Sequence, residues 1–157
     1  MELGPTAPVG PRFIPILKAK GLHVVAVQNP LSSIADDVAL TNRLIDAQGG
    51  GGLLVGHSYG GAVITEAGMN PKVTGMVYVA AFAPDQGETL GGPAQKFPAM
   101  PLFGEFQPIA DGFLLFTAKG VMEDFGQDLS PAEKRFRARH KAPFSGRLSS
   151  RRAAHQA

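Results

Sequence analysis

Apolar residues gather in three short runs, and between them they recur at helical spacing; that alternation predicts most of the architecture. Phe13–Lys20 reads as the end of a helix, with Gly21 as its stop signal. His23–Pro30, HVVAVQNP, is β-branched and closes on Asn-Pro, which predicts a buried strand followed by a turn. Ser33 is placed to cap a second helix, and Asp36 and Asp37 fall in its first turn, where the helix dipole favours them. Ile34, Val38, Thr41, Leu44 and Ile45 then give that helix one face to bury, until Gly49–Gly52 ends it. Gly52–Gly56 predicts a second buried strand, Gly60–Met69 a further helix, and residues 74–83, TGMVYVAAFA, a third strand stopped by Pro84-Asp85. Strands without polar alternation, separated by helices, imply an α/β fold: a parallel sheet of about three strands covered on both faces.

From Gln86 the pattern changes. Residues 86–128 hold six of the ten phenylalanines, and Pro93, Pro98, Pro101 and Pro108 break any long element. This predicts an apolar, partly helical cap rather than more sheet. Ser130-Pro131-Ala132-Glu133 is a capping box with proline at the first helical position. Beyond it the sequence turns Arg-rich and loses apolar periodicity. The expected organisation is a core over 13–85, a cap over 86–133, and irregular, solvated ends at 1–12 and 134–157.

Composition narrows the chemistry. The 157 residues suit one domain, and 44% hydrophobic with 18% charged side chains is ordinary for a soluble globular chain. There is no cysteine, which excludes disulfides, thiolate metal sites and a cysteine nucleophile. No apolar run approaches the roughly 20 residues of a membrane span, and MELGPTAPVGPR lacks the features of a signal peptide. A cytoplasmic protein without membrane partners is the expectation. The net charge of +2 hides eight basic and no acidic residues from Lys134 onward, against −6 for the preceding 133 residues. Such a tail suits either an anionic surface or plain solvent. No aromatic stacking platform accompanies it, so no nucleic-acid partner is expected.

Residues 53–64, LLVGHSYGGAVI, carry the strongest chemical signal. Gly56-His57-Ser58-Tyr59-Gly60 joins an apolar strand to a small-residue helix, and this is the pattern of a nucleophile elbow. A serine on such a strained turn needs small residues two places before and two after it. The helix start favours developing negative charge, and the Tyr59 N–H can donate to an oxyanion. The competing reading is a tight turn with an incidental serine. Phosphate-cradling motifs fail: Ser58 stands where GxGxxG needs glycine, and no GxxxxGK[ST] occurs.

With these residues in view, Phe13–Glu133 resembles the α/β-hydrolase superfamily, in the branch near methylesterases, hydroxynitrile lyases and their bacterial relatives. The resemblance rests on AKGLHVVAVQNPL, SSIADDV, LLVGHSYGGAVITEAG and VYVAAFAPDQGE. It implies a partial α/β-hydrolase fold and a cofactor-free, metal-free serine hydrolase acting on a small ester or related acyl substrate. It assigns Ser58 as nucleophile and the Tyr59 backbone as oxyanion donor, with Gly56, His57, Gly60 and Gly61 shaping the elbow. The Phe-rich region corresponds to the cap over the acyl pocket, with Phe97, Phe103, Phe106, Phe113 and Phe116 as its lining.

The rest of the machinery is harder to place. The family's acid and base follow its last strands, in the order Ser, Asp, His. His23 opens a predicted strand, His57 adjoins the nucleophile facing another way, and His140 and His155 lie in the basic tail. Asp85 follows a strand beside the elbow and is the acid candidate, against a turn role in Pro84-Asp85-Gln86-Gly87. The family also begins with a strand and a His-Gly oxyanion loop, and that strand lies between those at 23–27 and 52–56. Residues 1–12 contain no such run, so the two strands are expected to pair directly or the chain to form a homo-oligomer. Without a base, a hydrolase-like fragment that binds an apolar small molecule is the alternative function.

The opening residues suggest a cause. A nucleotide stretch encoding MELGPTAPVG, preceded by C and read one base back, also encodes His-Gly-Ala-Trp-Ala-Asp-Gly-Ser-Ser-Trp, which resembles the oxyanion loop. The expectation is a reading frame that starts out of register in a hydrolase gene and rejoins it near Phe13, with the Arg-rich tail as a second frame change. Sequencing the locus tests this: any upstream base other than C overturns it.

Overall fold

The computed structural model describes residues 10–85, 88, 98, 101–140 and 143–145. The chain divides into two compact units, Asn29–Ala99 with Ser145–Ala157, and Met1–Gln28 with Met100–Phe144. By this division residues 13–28 group with the Phe-rich region.

The unit that carries Ser58 contains α2 (Ile34–Asp46), β1 (Gly52–Ser58), α3 (Gly60–Ala67) and β2 (Val73–Ala81); α1 (Gly10–Ala19) belongs to the other unit. α2 forms where its cap predicts: the Ser33 hydroxyl accepts the Asp36 N–H at 3.1 Å, and Ile34, Thr41 and Ile45 are buried. Its C-terminal carbonyls are held from outside, since the Lys72 ammonium donates to the Asp46 and Gln48 carbonyls at 2.7 and 2.8 Å. Asn70 binds Asp46 and Asn42 beside it, so the start of β2 is tied to the end of α2.

β1 and β2 pair in parallel, as strands joined through a helix must, with Val55 opposite Val77 and His57 opposite Val79. α3 lies on the face that carries Gly56 and Tyr78, where the Thr65 and Tyr78 hydroxyls meet at 2.8 Å. Ala62, Val63, Ile64 and Ala67 form the core there. The opposite face is open. Leu53 and Val55 are each 61% exposed, and Val77 and Val79 are exposed beside them.

The α/β reading holds, and the structure differs from expectation in three details. The parallel sheet has two strands among the described residues, not three. Leu22–Leu31 takes no place in a ladder, so neither direct pairing of the two strands nor cover on both sheet faces is found. A β-branched run becomes a strand only when a partner strand meets its backbone, and none of the described residues does.

In the other unit, α1 ends as its glycine predicts. Gly21 is left-handed (φ 80°), with its N–H on the Lys18 carbonyl and the Leu22 N–H on that of Leu17. The Phe-rich region contains more sheet than expected. β3 (Phe106–Pro108) and β4 (Phe113–Phe116) pair antiparallel, and the sheet order is β3-β4-β5, with β5 (Phe144–Ser145) contributing Phe144 to this unit. The hairpin turns at Asp111, which takes a left-handed φ of 60° before Gly112. Gly120–Phe125 is a π-helical turn. α4 (Pro131–Arg139) starts at the predicted capping box and runs into the stretch expected to be irregular. Among the described residues no helix is long and apolar enough to cross a membrane.

The two faces of the β1–β2 sheet should therefore respond differently to mutation. Leu53→Lys and Val55→Lys are expected to change stability by no more than about 0.5 kcal/mol and to lower binding of an apolar dye. Val63→Ala, on the buried side, should cost about 2 kcal/mol in urea melts.

Candidate active site

β1 delivers the chain to Ser58, and α3 begins two residues later. Between them Ser58 adopts φ 52°, the left-handed region that a side chain with a Cβ enters at a cost of about 1–2 kcal/mol. This is the strained strand-to-helix turn that the motif predicts. The strain is held by specific contacts. β2 carries one extra residue opposite the turn, where the register slips between His57 and Ser58 and Ala80 also turns left-handed (φ 42°). That bulge brings the Phe82 N–H onto the Ser58 carbonyl at 3.0 Å.

The glycines divide in a way the motif does not foresee. A Cβ on Gly56 would lie 2.6 Å from the Gly60 carbonyl oxygen, so strand and helix touch backbone to backbone there. A Cβ on Gly61 would lie 2.1 Å from the Phe82 carbonyl oxygen. A Cβ on Gly60 would meet nothing within 4 Å. Of the positions expected to need a small residue, Gly56 does and Gly60 does not; the tight contact after the serine falls on Gly61.

Tyr59 has helical backbone angles (φ −53°, ψ −32°) and stands at the α3 start, where the first N–H groups lack partners within the helix. Its carbonyl accepts the Ala62 N–H at 3.0 Å, which settles it into the first turn. Its phenol leaves the elbow and donates to the Asp37 carboxylate at 2.8 Å. The second Asp37 oxygen accepts the Leu31 N–H at 2.9 Å, and Asp37 is fully buried. Its position in the first turn of α2 is as expected, and its side chain is buried there. Burial pushes the Asp37 carboxyl above the usual carboxylate range, against the pull of its two donors. Burial and the Asp37 hydrogen bond together hold the Tyr59 phenol far above its ordinary value.

Other predicted residues are placed as follows. His57 is exposed and Ser58 half-buried, and among the described residues Ser58 Oγ has no hydrogen-bond partner. Asp85 is exposed after β2, in a turn where its N–H donates to the Glu88 carboxylate and its carbonyl accepts the Glu88 N–H. His23 is exposed in the unladdered run. His140 ends α4 with Nδ1 2.8 Å from the Phe136 carbonyl and its ring 4.2 Å from that of Phe136. His155 and Phe97 lie outside the described residues. Among the described residues no cluster of His, Asp and Glu could hold a metal.

Within the Phe-rich unit, the Phe106 and Phe116 rings meet tilted at 4.9 Å, and Phe103, Phe125 and Phe144 pack onto them at 5.4–5.9 Å. Phe113 is half-buried on β4. Sequence reasoning named Phe103, Phe106, Phe113 and Phe116 but missed Phe125 and Phe144, which only the fold brings to the cluster. Glu105 anchors the same unit: the Lys119 ammonium donates to it at 2.6 Å and the Thr117 hydroxyl donates as well. These donors hold the Glu105 carboxyl below its usual range.

The sequence matches the Alpha/beta hydrolase family over residues 9–156. The chain belongs to that family. Hydrolases and esterases recur among its likenesses. Over 40 residues it is 50% identical to a carbendazim hydrolyzing esterase of Nocardioides sp. (strain SG-4G), a match covering 24% of this chain and 16% of that protein. Its fold is similar to that of polyneuridine aldehyde esterase (TM-score 0.75, 18% identity, 91% of this chain and 65% of that one). It is also similar to the pyrethroid hydrolase PytH (TM-score 0.70, 20% identity, 92% and 65%). A pyrethroid hydrolase from Sphingobium faniae JZ-2 gives 0.66 at 22% identity, again covering 92% and 65%. This α/β-hydrolase chain thus spans about two thirds of the length of those solved structures and a smaller part of the curated relative.

Two measurements test the elbow. Gly61→Ala should cost about 2–3 kcal/mol, because backbone must move to admit the methyl group, whereas Gly60→Ala should stay within about 0.5 kcal/mol. The Tyr59 phenol titrates higher folded than unfolded, so its contribution is whole below the free tyrosine value of about 10 and is lost as pH rises beyond it. Urea melts between about pH 9 and 11 should show a fall in stability for the wild type that Tyr59→Phe lacks.

Proposed function

We propose that this chain acts as a serine hydrolase on a small ester or related acyl substrate, in the cytoplasm and without a cofactor, with Ser58 as nucleophile. The observation that carries the reading is the left-handed Ser58 at the strand-to-helix turn, beside the Tyr59 N–H at the start of α3. Such strain persists where surrounding contacts over-determine it, and it clusters at functional sites. Family membership and the esterases among the similar proteins support an ester substrate.

In this reading Ser58 Oγ bonds to the acyl carbon and gives its proton to a base. The carbonyl electron pair moves onto oxygen, where the Tyr59 N–H and the α3 dipole stabilise it. The pair then returns, the alkoxide leaves with a proton, and water releases the acyl group by the same steps. Asp85 is the proposed acid for orienting the base. Phe97, Phe103, Phe106, Phe113 and Phe116 are the proposed lining of the acyl pocket.

One observation favours a second reading. Among the described residues no base is bonded to Ser58 Oγ, and a serine hydroxyl without a base is a weak nucleophile. A catalytically silent hydrolase-like chain that binds an apolar molecule on its phenylalanines fits that fact. Labelling by a fluorophosphonate and turnover of a short-chain aryl ester separate the two. The hydrolase reading expects both, each abolished in Ser58→Ala. The binding reading expects neither, with apolar-ligand binding unchanged by the substitution.

A further inference from the structure

The elbow holds a left-handed serine, and the Phe82 N–H restrains its carbonyl side. The next residue bears the oxyanion donor, yet its side chain makes no capping bond to α3. The Tyr59 phenol instead reaches 22 residues back to Asp37 on α2. Asp37 is fully buried and locked into its own helix: its N–H donates to the Ser33 carbonyl at 3.1 Å, and its carbonyl accepts the Thr41 hydroxyl at 2.8 Å. Its other carboxylate oxygen takes the N–H of Leu31, itself a left-handed residue (φ 58°) whose carbonyl accepts the Ser145 N–H at 2.9 Å.

One buried carboxylate thus spans two strained places in the backbone. Burying it is costly, and an apolar side chain of similar volume would serve α2 packing at least as well. What an apolar side chain lacks is two acceptors, one for each donor.

We infer that Asp37 is a positioning residue for the elbow: through the Tyr59 phenol it sets the direction of the Tyr59 N–H, and with it the Ser58 turn. The inference rests on the reading of Ser58 as nucleophile and names a residue that the elbow motif, 19 positions downstream, does not include. Tyr59 acts in two ways, as backbone donor and as the handle by which α2 grips the turn. Because the phenol oxygen also accepts hydrogen bonds, an amide at position 37 can keep Leu31 with its oxygen and meet Tyr59 with its NH2 group. Asparagine is therefore the conservative replacement, and leucine removes both bonds.

The test compares the full-length wild type with Tyr59→Phe, Asp37→Asn, Asp37→Leu and the Asp37→Leu/Tyr59→Phe double variant. Aryl-ester turnover gives kcat and KM, and the amide hydrogen exchange of residues 58–62 gives a readout independent of chemistry. Tyr59→Phe and Asp37→Leu should each lower kcat about tenfold, the scale of a lost hydrogen bond to a charged acceptor, with KM within about twofold. Both should speed exchange at 58–62 by a similar factor. Asp37→Asn should stay within about threefold of wild type in both readouts. The double variant should be no slower than Asp37→Leu alone, since both substitutions cut one link. Wild-type kcat and exchange in Tyr59→Phe would overturn the inference, as would single effects that multiply in the double variant. If Asp37→Leu does not fold, Tyr59→Phe, which deletes one oxygen, and Asp37→Asn still decide it. A wild type without turnover removes the nucleophile reading, and exchange at 58–62 still shows whether Asp37 holds the turn.

Discussion

The left-handed turn at Ser58 is the constraint on which the rest of the Ser58 unit depends. It forces strand and helix to meet with almost no separation, which is why Gly56 touches the backbone of Gly60 and Gly61 that of Phe82. Opposite it β2 carries an extra residue at Ala80, and just beyond that bulge the Phe82 N–H meets the Ser58 carbonyl. And it calls for a grip from outside the turn, which the Asp37 carboxylate provides through Tyr59. Each is a response to the same strained residue, and each lies on a different element.

The sheet beneath the elbow is narrow. Two parallel strands with one covered face bury few apolar groups, and two-stranded sheets are marginal by themselves. Stability in this unit therefore leans on the α2–α3 side, on Val63 and Ala62 and on the polar ties from Asn70 and Lys72 to the end of α2. On the other face, exposed Leu53, Val55, Val77 and Val79 leave apolar surface in water. In the Phe-rich unit the rings pack mainly on one another, so part of their apolar area is spent on holding that unit together.

Local features were legible along the chain. The Ser33 cap, the Ser130 capping box, the Gly21 stop and the elbow each depend on residues within a few positions of one another, and all form as expected. Features that depend on distant partners were not. His23–Pro30 has the composition of a strand, but a ladder needs a second backbone. Asp37 reads as an acid that the helix dipole favours, and nothing near it in sequence reveals Tyr59. The antiparallel β3–β4 pair was hidden because prolines at 101 and 108 suggested breaks, yet Pro108 stands at the last position of its short strand, where its lack of a donor is tolerated.

By itself, then, the sequence determined the elbow, its helix and the caps, because steric limits at glycine and serine and short-range hydrogen bonds act between neighbours. Only the tertiary structure decided which runs found a ladder partner, which phenylalanines met, and that Asp37 is the acid that holds Tyr59. Burial and pairing are set by what lies across space, and the chain order does not contain it.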